Sequence, residues 1–468
     1  MKPSDVPAPA QSPALSRRIA GLALPALVVL AAEPLYVLVD TAVVGHLGPV
    51  PLAAVAIGGT VMSVAAWLGT AAAYGTTGRA ARRYGAGDRA AAVAEGVQAS
   101  WLALVAGAVF ALAMQVLAGP ISTALAGGAN PVADAAGQWL RVAAWGAPGL
   151  LLAAAGNGWM RGVQETRRPV RFVLAANVLS ALLCPVLVYP AGFGLTGSAL
   201  ANVLAQTVGG GLFGYALVRT AVSLRPRPDL VVAHLAVGRD LLVRGAAFQA
   251  SFLSATAIAA RYGTVQVAAH QIAIQLWFFT ALAMDALAIA AQSLVGAALG
   301  AGDARAARAL ARRVVLLGAF AGTAFALLFA LGAGVIPSWF SADPGVHEQA
   351  MIAWPWFVAL QPVAGVVFAL DGVFIGAGDL RYLRNMTIGA ALGGFLPAIW
   401  LGYAFDLGLG GIWAGLAVFM VIRLAALTHR LRSPRWTVLG VPTGRARPPA
   451  GPCVGRPSRA SGRLGSRE

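Results

Sequence analysis

Four carboxylates stand inside long apolar stretches of this sequence, where a charged side chain is costly. They are Glu33, Asp40, Asp285 and Asp371. If these stretches cross a membrane, each acid is a candidate for ion binding or proton transfer, because ionisable residues in such segments commonly mark ion or substrate pathways. The alternative for each is a buried acid whose hydrogen bonds serve only the fold.

Glu33 and Asp40 fall in the same predicted helix, together with Pro25 and Pro34. Seven residues make almost two helical turns, so both carboxylates lie on one face, roughly 10 Å apart. Each proline removes a backbone hydrogen bond and favours a kink. A helix that bends and carries a carboxylate has the parts of a proton switch. We therefore predict that Asp40 and Glu33 are the proton-coupling residues.

Neutral polar residues in the apolar stretches give a weaker signal. Most such residues hydrogen-bond neighbouring helices, and a minority contact a substrate. The only histidine among them, His270, could also relay protons. The candidates for lining a polar cavity are Asn157, Asn177, Ser180, Asn202, Gln249, His270 and Gln271.

Motifs for ATP use, metal-dependent hydrolysis and thiol chemistry are missing from the sequence. It contains no GxxxxGK[ST], HExxH or CxxC pattern, and its two cysteines are Cys184 and Cys453. These absences argue against a nucleotide, metal or disulfide site. We expect no catalytic residue, no cofactor, no bound metal and no enzymatic activity. A lipid-modifying membrane enzyme would need a convergent His/Asp or metal-binding set, which the sequence does not offer.

Membrane helices must hold these residues in place. Hydrophobic residues make up 59% of the chain, charged residues 11%, and the mean hydropathy is +0.75. A soluble protein of 468 residues needs a more charged surface, whereas each apolar run of about 20 residues can span a bilayer. We predict an all-α membrane protein with twelve spans, at 18–47, 52–78, 93–119, 134–160, 170–190, 195–219, 238–261, 266–299, 311–336, 348–375, 385–404 and 408–430.

The net charge of +17 comes almost entirely from arginine, and its distribution predicts the orientation of the chain. Alternate junctions between the apolar runs are rich in arginine, and the others are nearly free of it. Because basic loops stay in the cytoplasm, we expect a multi-pass protein of the bacterial inner membrane, in contact with lipid and with both termini cytoplasmic. A nucleic-acid-binding surface would not alternate in step with the apolar runs, so we expect no nucleic-acid partner.

The same helical unit occurs twice. Residues 85–88, with the sequence GAGD, recur 215 residues later, and prolines and glycines of later helices recur at an offset of 214. Six spans per copy give a parallel repeat with a pseudo-two-fold axis along the membrane normal and a cleft between the copies. The predicted parts are a disordered N-terminus (1–16), a first lobe (17–220), a linker (221–237), a second lobe (238–431) and a basic disordered tail (432–468).

Two segments resemble the multidrug and toxic compound extrusion (MATE) family. Residues 22–48, LALPALVVLAAEPLYVLVDTAVVGHLG, are similar to its first helix. Residues 268–303, AAHQIAIQLWFFTALAMDALAIAAQSLVGAALGAGD, are similar to its DinF-type bacterial branch. The resemblance extends over residues 18–430. It implies the MATE fold of the MOP superfamily, with twelve helices in two six-helix lobes, and cation-coupled efflux of organic compounds.

The resemblance also implies roles for single residues. Pro25 matches a family proline whose bending accompanies protonation, and Asp40 matches the first-lobe acid proposed to bind the coupling proton or sodium ion. Asp371 matches a second-lobe acid that some branches use for cation coupling. Gln249 stands where those branches carry glutamate, which argues against a full sodium site in that lobe.

The fifth predicted helix departs from the family pattern N-x-x-N-x-x-x-D-P. After Asn177, the chain has Ser180 in place of the second asparagine and Cys184 in place of the acid. A sodium ion needs several hard oxygen ligands, whereas a proton needs one carboxylate. The departure therefore favours proton coupling, with sodium coupling as the alternative.

We expect a monomeric antiporter that exports small organic compounds, cationic or amphipathic, in exchange for protons by alternating access. The charges that we place inside the membrane are mainly acidic, which favours cationic cargo. The alternative is a lipid-linked precursor flippase of the same superfamily. Such proteins often have extra helices and a cationic cavity, whereas this sequence predicts twelve helices and mainly acidic charges inside the membrane.

Overall fold

The computed structural model describes residues 13–441, and these residues form a bundle of helices. The helices of the first lobe are α1 (Pro13–Gly45), α2 (Pro49–Gly85), α3 (Arg89–Leu125), α4 (Pro131–Ala143), α5 (Ala147–Gly162), α6 (Arg167–Val188) and α7 (Gly194–Thr220). The helices of the second lobe are α8 (Pro228–Tyr262), α9 (Thr264–Gly300), α10 (Ala304–Leu331), α11 (Pro344–Ala377), α12 (Leu380–Ala390), α13 (Leu396–Ala404) and α14 (Gly408–Arg432).

Eleven of the helical segments, with α12 and α13 counted as one, are long and apolar enough to cross a membrane. The fourth predicted span is interrupted, because the 3-10 turn Ala144–Gly146 separates α4 from α5. Pro148, in the first turn of α5, has no N–H to continue an α-helix through that turn. A π-helical turn, Ala391–Phe395, joins α12 to α13. The eleven continuous segments, together with the segment divided into α4 and α5, confirm the prediction of twelve membrane spans.

The structure differs from the sequence-based boundaries in three places. Helix α1 begins at Pro13, inside the segment predicted to be disordered. Helix α8 begins at Pro228, so only residues 221–227 of the predicted linker are non-helical. A proline can start a helix at no cost, because the first N–H has no partner in the helix. Residues 433–441 pack against the bundle, and the rest of the predicted tail lies outside the described residues.

Glycines at equivalent positions of the repeat bring equivalent helices together. In the first lobe α5 packs on α2 at Gly158, where an added Cβ would lie 2.6 Å from the carbonyl oxygen of Ala73. In the second lobe α11 packs on α9 at Gly372, where it would lie 2.3 Å from the carbonyl oxygen of Ala288. Any side chain at either glycine would force the helices apart. The two lobes are therefore built on the same close contact.

Helices α2 and α9 meet where both end, beside the turns that lead into α3 and α10; we call this end of the bundle the basic face. A Cβ on Gly85 would lie 1.9 Å from the carbonyl oxygen of Ala297, and a Cβ on Gly300 would lie 2.0 Å from that of Arg82. The two contacts exchange equivalent residues, as a two-fold axis requires. Since neither leaves room for a methyl group, the lobes are closed against each other at this face.

Residues 433–441, which we call the C-terminal strap, lie across the basic face. Arg82 of α2 donates hydrogen bonds to the carbonyl oxygens of Val438 (3.0 Å) and Gly440 (2.9 Å). The Gly440 N–H in turn donates to the carbonyl oxygen of Leu299, near the end of α9, at 2.9 Å. The strap therefore joins a helix of the first lobe to a helix of the second.

Candidate functional site

Each lobe contains a cavity, and Tyr74 of α2 lines both. The first-lobe cavity has a volume of about 170 Å³, and its lining includes Glu33, Asn157 and Asn177. The second-lobe cavity has a volume of about 640 Å³ and includes Gln249. The larger cavity falls in the range that holds drug-sized organic ligands. The structure thus places three of the predicted neutral polar residues, Asn157, Asn177 and Gln249, at cavities.

Asp40 is buried between α1, α6 and α7, with 6% of its surface exposed. Its Oδ1 accepts hydrogen bonds from the Ser198 hydroxyl at 2.8 Å and from the Cys184 thiol at 3.1 Å. No arginine, lysine or histidine of the described residues forms an ion pair with it. A buried carboxylate without a counter-charge must be protonated or hold a cation to be stable.

A second group of polar residues surrounds Asp40. The Asn202 amide donates to the hydroxyl of Tyr36, one turn before Asp40 in α1, at 2.8 Å. Ser180 is 1% exposed, and its hydroxyl has no partner among the described residues. Ser180 and Asn202 are predicted from the sequence to line a cavity, but both lie outside the linings of the two cavities. They belong to the surroundings of Asp40 instead, because α6 and α7 pack on α1 at this level.

The second acid of α1 has different surroundings. Glu33 is exposed to the first-lobe cavity, whereas Asp40 lines neither cavity. Helix α1 runs unbroken through Pro25 and Pro34. In this conformation, therefore, neither proline divides the helix that carries both acids.

Asp285 links the two lobes. The hydroxyl of Tyr74, on α2, donates a hydrogen bond to Asp285 on α9, and both residues line the second-lobe cavity. A donor from the other lobe thus satisfies one oxygen of this carboxylate. Any movement that separates α2 from α9 must break this bond.

Asp371 lies between two arginines. The guanidinium groups of Arg244, on α8, and Arg423, on α14, both donate to its Oδ2, at 2.5 and 2.6 Å. Both guanidinium groups also lie over the ring of Phe248, at 5.2 and 4.7 Å from its centre. The negative charge of Asp371 is therefore fully neutralised within the protein.

Three arginines lie inside the membrane region that were not among the charged residues predicted there from the sequence. The sequence-based prediction places arginines at the junctions between apolar runs and none inside the membrane. Arg161 is 6% exposed and lines the first-lobe cavity, whereas Arg244 and Arg423 line the second-lobe cavity. Together with the four acids, these three arginines make the charges inside the membrane nearly balanced, and the expectation that they are mainly acidic left the arginines out. Arg423 stands in the middle of an apolar run, and that position is the signal that could have revealed it.

Two further candidates lie away from both cavities. His270 is 2% exposed and packs against Trp413, with ring centres 6.1 Å apart, and neither ring nitrogen has a partner among the described residues. Gln271 is exposed and lies outside the linings of both cavities. Their neighbour Gln275, one turn further along α9, does line the second-lobe cavity.

Comparisons with known proteins agree with this architecture. The MatE family model matches residues 25–186 and 241–400. The DNA damage-inducible protein F of Escherichia coli is 32% identical over 87% of this chain and 91% of its own length. Protein DETOXIFICATION 44, chloroplastic, of Arabidopsis thaliana is 33% identical over 91% of this chain and 84% of its own length.

Solved structures show the same fold. A MOP superfamily transporter from Pyrococcus furiosus superposes with a TM-score of 0.81 at 22% identity, covering 89% of this chain and 96% of that one. A point mutant of the MATE transporter VcmN of Vibrio cholerae superposes with a TM-score of 0.80 at 21% identity, covering 91% of this chain and 98% of that one. The chain therefore belongs to the MATE family of multi-pass membrane transporters, and its similarity to protein F agrees with the DinF-type branch.

Proposed function

We propose that this chain is an antiporter of the bacterial inner membrane that exports amphipathic organic compounds from the cytoplasm in exchange for protons. The observation that carries the proposal is Asp40, a buried carboxylate whose described partners are two neutral donors. Such a group is stabilised by taking up a proton and destabilised by losing it. Each proton that it binds or releases therefore changes the relative stability of conformations that expose it to different sides of the membrane.

The partners of Asp40 support a proton over a sodium ion. Sodium prefers several hard oxygen ligands, but the Cys184 thiol contributes a soft sulfur and Ser198 a single hydroxyl. A protonated Asp40 needs no further ligand, because its charge is gone. The same two donors also suit a carboxyl group, which keeps acceptor capacity in its neutral form.

The arrangement of the lobes supports alternating access. We assign the basic face to the cytoplasm from its arginines, so the closed contact at Gly85 and Gly300 would shut the cytoplasmic side. Opening that side would separate α2 from α9 and break the bond between Tyr74 and Asp285. Cargo in the second-lobe cavity lies beside this bond and so could influence the movement.

The experiment is transport by the purified protein in liposomes under one imposed gradient at a time. A fluorescent anionic dye and a fluorescent cationic dye serve as cargo. We expect an imposed pH gradient to drive dye movement and a sodium gradient at constant pH to have no effect. Transport that follows the sodium gradient and ignores the pH gradient would contradict the proposal.

Asp40→Asn removes the titratable group and keeps the side-chain size, so we expect it to reduce pH-driven transport to the background of empty liposomes. Asp229→Asn is the matched control, because the Asp229 side chain is 61% exposed, in the first turn of α8. It should transport like the wild type. Full pH-driven activity in Asp40→Asn would remove Asp40 from the mechanism.

A further inference from the structure

The charges of the second-lobe cavity do not suit a cationic cargo. The cavity is lined by two aspartates and two arginines, Asp285, Asp371, Arg244 and Arg423. Asp285 already accepts a hydrogen bond from Tyr74. Each acid therefore already has a donor that a cationic cargo would have to displace, because Asp285 is bonded to Tyr74 and Asp371 is bonded to both arginines.

Two guanidinium groups share one oxygen atom of Asp371 in this cavity. Arg244 and Arg423 both donate to the same oxygen of Asp371, at 2.5 and 2.6 Å. The Nε–H groups of both arginines have no hydrogen-bond partner among the described residues, and neither has the other oxygen of Asp371. Unpartnered donors on a buried charged group are costly. A carboxylate of the cargo would supply acceptors for these donors.

Packing keeps these arginines inside the protein. The side chain of Arg423 is 1% exposed and that of Arg244 is 12% exposed. Arg423 also lies over the ring of Phe419, with the guanidinium carbon 5.5 Å from the ring centre. Neither arginine therefore lies at a helix end with its guanidinium group extended into water. Fixed guanidinium groups of this kind are well suited to binding carboxylates.

Several aromatic side chains belong to the rest of the cavity lining, together with aliphatic residues and three glutamines. Phe252, Trp277, Phe278 and Phe368 belong to its lining. Together they provide an apolar surface beside the arginines, within the same volume of about 640 Å³. Such a cavity fits a molecule with a flat apolar body and one negative group.

We propose that the second-lobe cavity binds amphipathic aromatic carboxylates, with Arg244 and Arg423 as the binding residues. Asp371 acts as an internal competitor that occupies the two guanidinium groups until the cargo carboxylate arrives. The inference rests on the proposed export function and names the charge of its cargo. It reverses the cationic cargo that the sequence alone favours, because that expectation depended on a count that omitted these arginines.

The test is equilibrium dialysis of the full chain in phosphatidylcholine nanodiscs, without any gradient. The probes are naphthoate and naphthylmethylammonium, which share one aromatic body and carry opposite charges. We expect naphthoate to bind more tightly than the ammonium compound. We also expect Arg244→Gln and Arg423→Gln each to weaken naphthoate binding by about tenfold. The charge-matched control is Arg219→Gln, on the exposed surface of α7, and it should bind both probes like the wild type.

Asp371→Asn gives a result of opposite sign for an anion site and a cation site. If Asp371 competes with the cargo, its removal should strengthen naphthoate binding, by about tenfold. If Asp371 instead attracts a cationic cargo, its removal should abolish binding of the ammonium probe and leave naphthoate unchanged. The second pattern would overturn the proposal. Arg244→Lys provides a further variant if Arg423→Gln does not fold, because it keeps the charge but loses the planar fork, and should also weaken naphthoate binding.

Two further experiments distinguish this proposal from a lipid-binding site and from the proposed proton coupling. Adding phosphatidylglycerol to the nanodiscs tests a lipid headgroup as the anionic ligand, and competition with naphthoate would overturn the assignment to a free carboxylate. Asp40→Asn should bind naphthoate like the wild type while losing pH-driven transport. If the wild type shows the binding pattern but no pH-driven transport, the proposed coupling fails and the anion site stands.

Discussion

The contact between α2 and α9 at the basic face should respond strongly to one added methyl group. In Gly300→Ala, the new Cβ would lie 2.0 Å from the carbonyl oxygen of Arg82, and real contacts essentially never come closer than 3.0 Å. The two helices must therefore separate by about 1 Å, since a backbone atom cannot turn away. Overpacking of this kind costs about 1–3 kcal/mol. The cost falls only on the closed state, so the ratio of closed to open molecules should fall roughly 5- to 150-fold.

Electron–electron resonance distances between two spin labels would measure this ratio. Ala90 and Arg305 suit the labels, because both are exposed near the starts of α3 and α10. Gly85→Ala should give a similar change, since Gly85 makes the equivalent contact. Gly59→Ala is the matched control, as a helical glycine with no atom within 4 Å of the added Cβ. Thermal unfolding of each variant would show that all of them are folded.

One result would refute the reasoning. If Gly300→Ala and Gly59→Ala gave the same label distances as the wild type, the closed state would not depend on backbone contact at the basic face. The shared hydrogen bonds of the C-terminal strap would then have to account for closure.

Other substitutions have equally definite outcomes. Cys184→Ser keeps a donor next to Asp40, so the initial rate of pH-driven transport should stay within about twofold of the wild type, whereas a large loss would show that the sulfur itself is needed. Tyr74→Phe removes a hydrogen bond between the lobes worth about 1 kcal/mol, so the same spin labels should report a roughly fivefold larger open fraction. Asp371→Asn leaves two buried arginines without their counter-charge and should lower the free energy of unfolding by about 3–5 kcal/mol. Adding Arg423→Gln to that variant should recover part of the loss in thermal unfolding, and no recovery would mean that charge is not the cause.

The sequence predicted the two-lobe fold well because the repeated residues are mainly glycines and prolines, which determine how closely the helix backbones pack. Gly158 and Gly372 are glycines because a helix passes against each of them, and that requirement is the same in both lobes. Helix boundaries were harder to predict. The apolar pattern ends where the lipid ends, but α8 continues to Pro228 as a helix outside the apolar run.

The charges of the second-lobe cavity could not be predicted from position along the chain. Arg244 and Arg423 lie on different helices and are separated from Asp371 by 127 and 52 residues. Their convergence depends on how α8, α11 and α14 pack. By contrast, Cys184 was already distinguished in the sequence, because it replaces the acid of the family pattern, and its thiol does contact Asp40.

The C-terminal strap can report the state of the transport cycle, because it is bonded to both lobes. Val438 and Gly440 are held by Arg82 of one lobe, and Gly440 is also held by Leu299 of the other. When the lobes part at the basic face, the strap can follow one of them but not both. A fluorophore attached to it would therefore signal opening from outside the cavity, without contact with cargo or coupling ion. A bulky fusion placed directly after residue 441 would be expected to slow the cycle for the same reason.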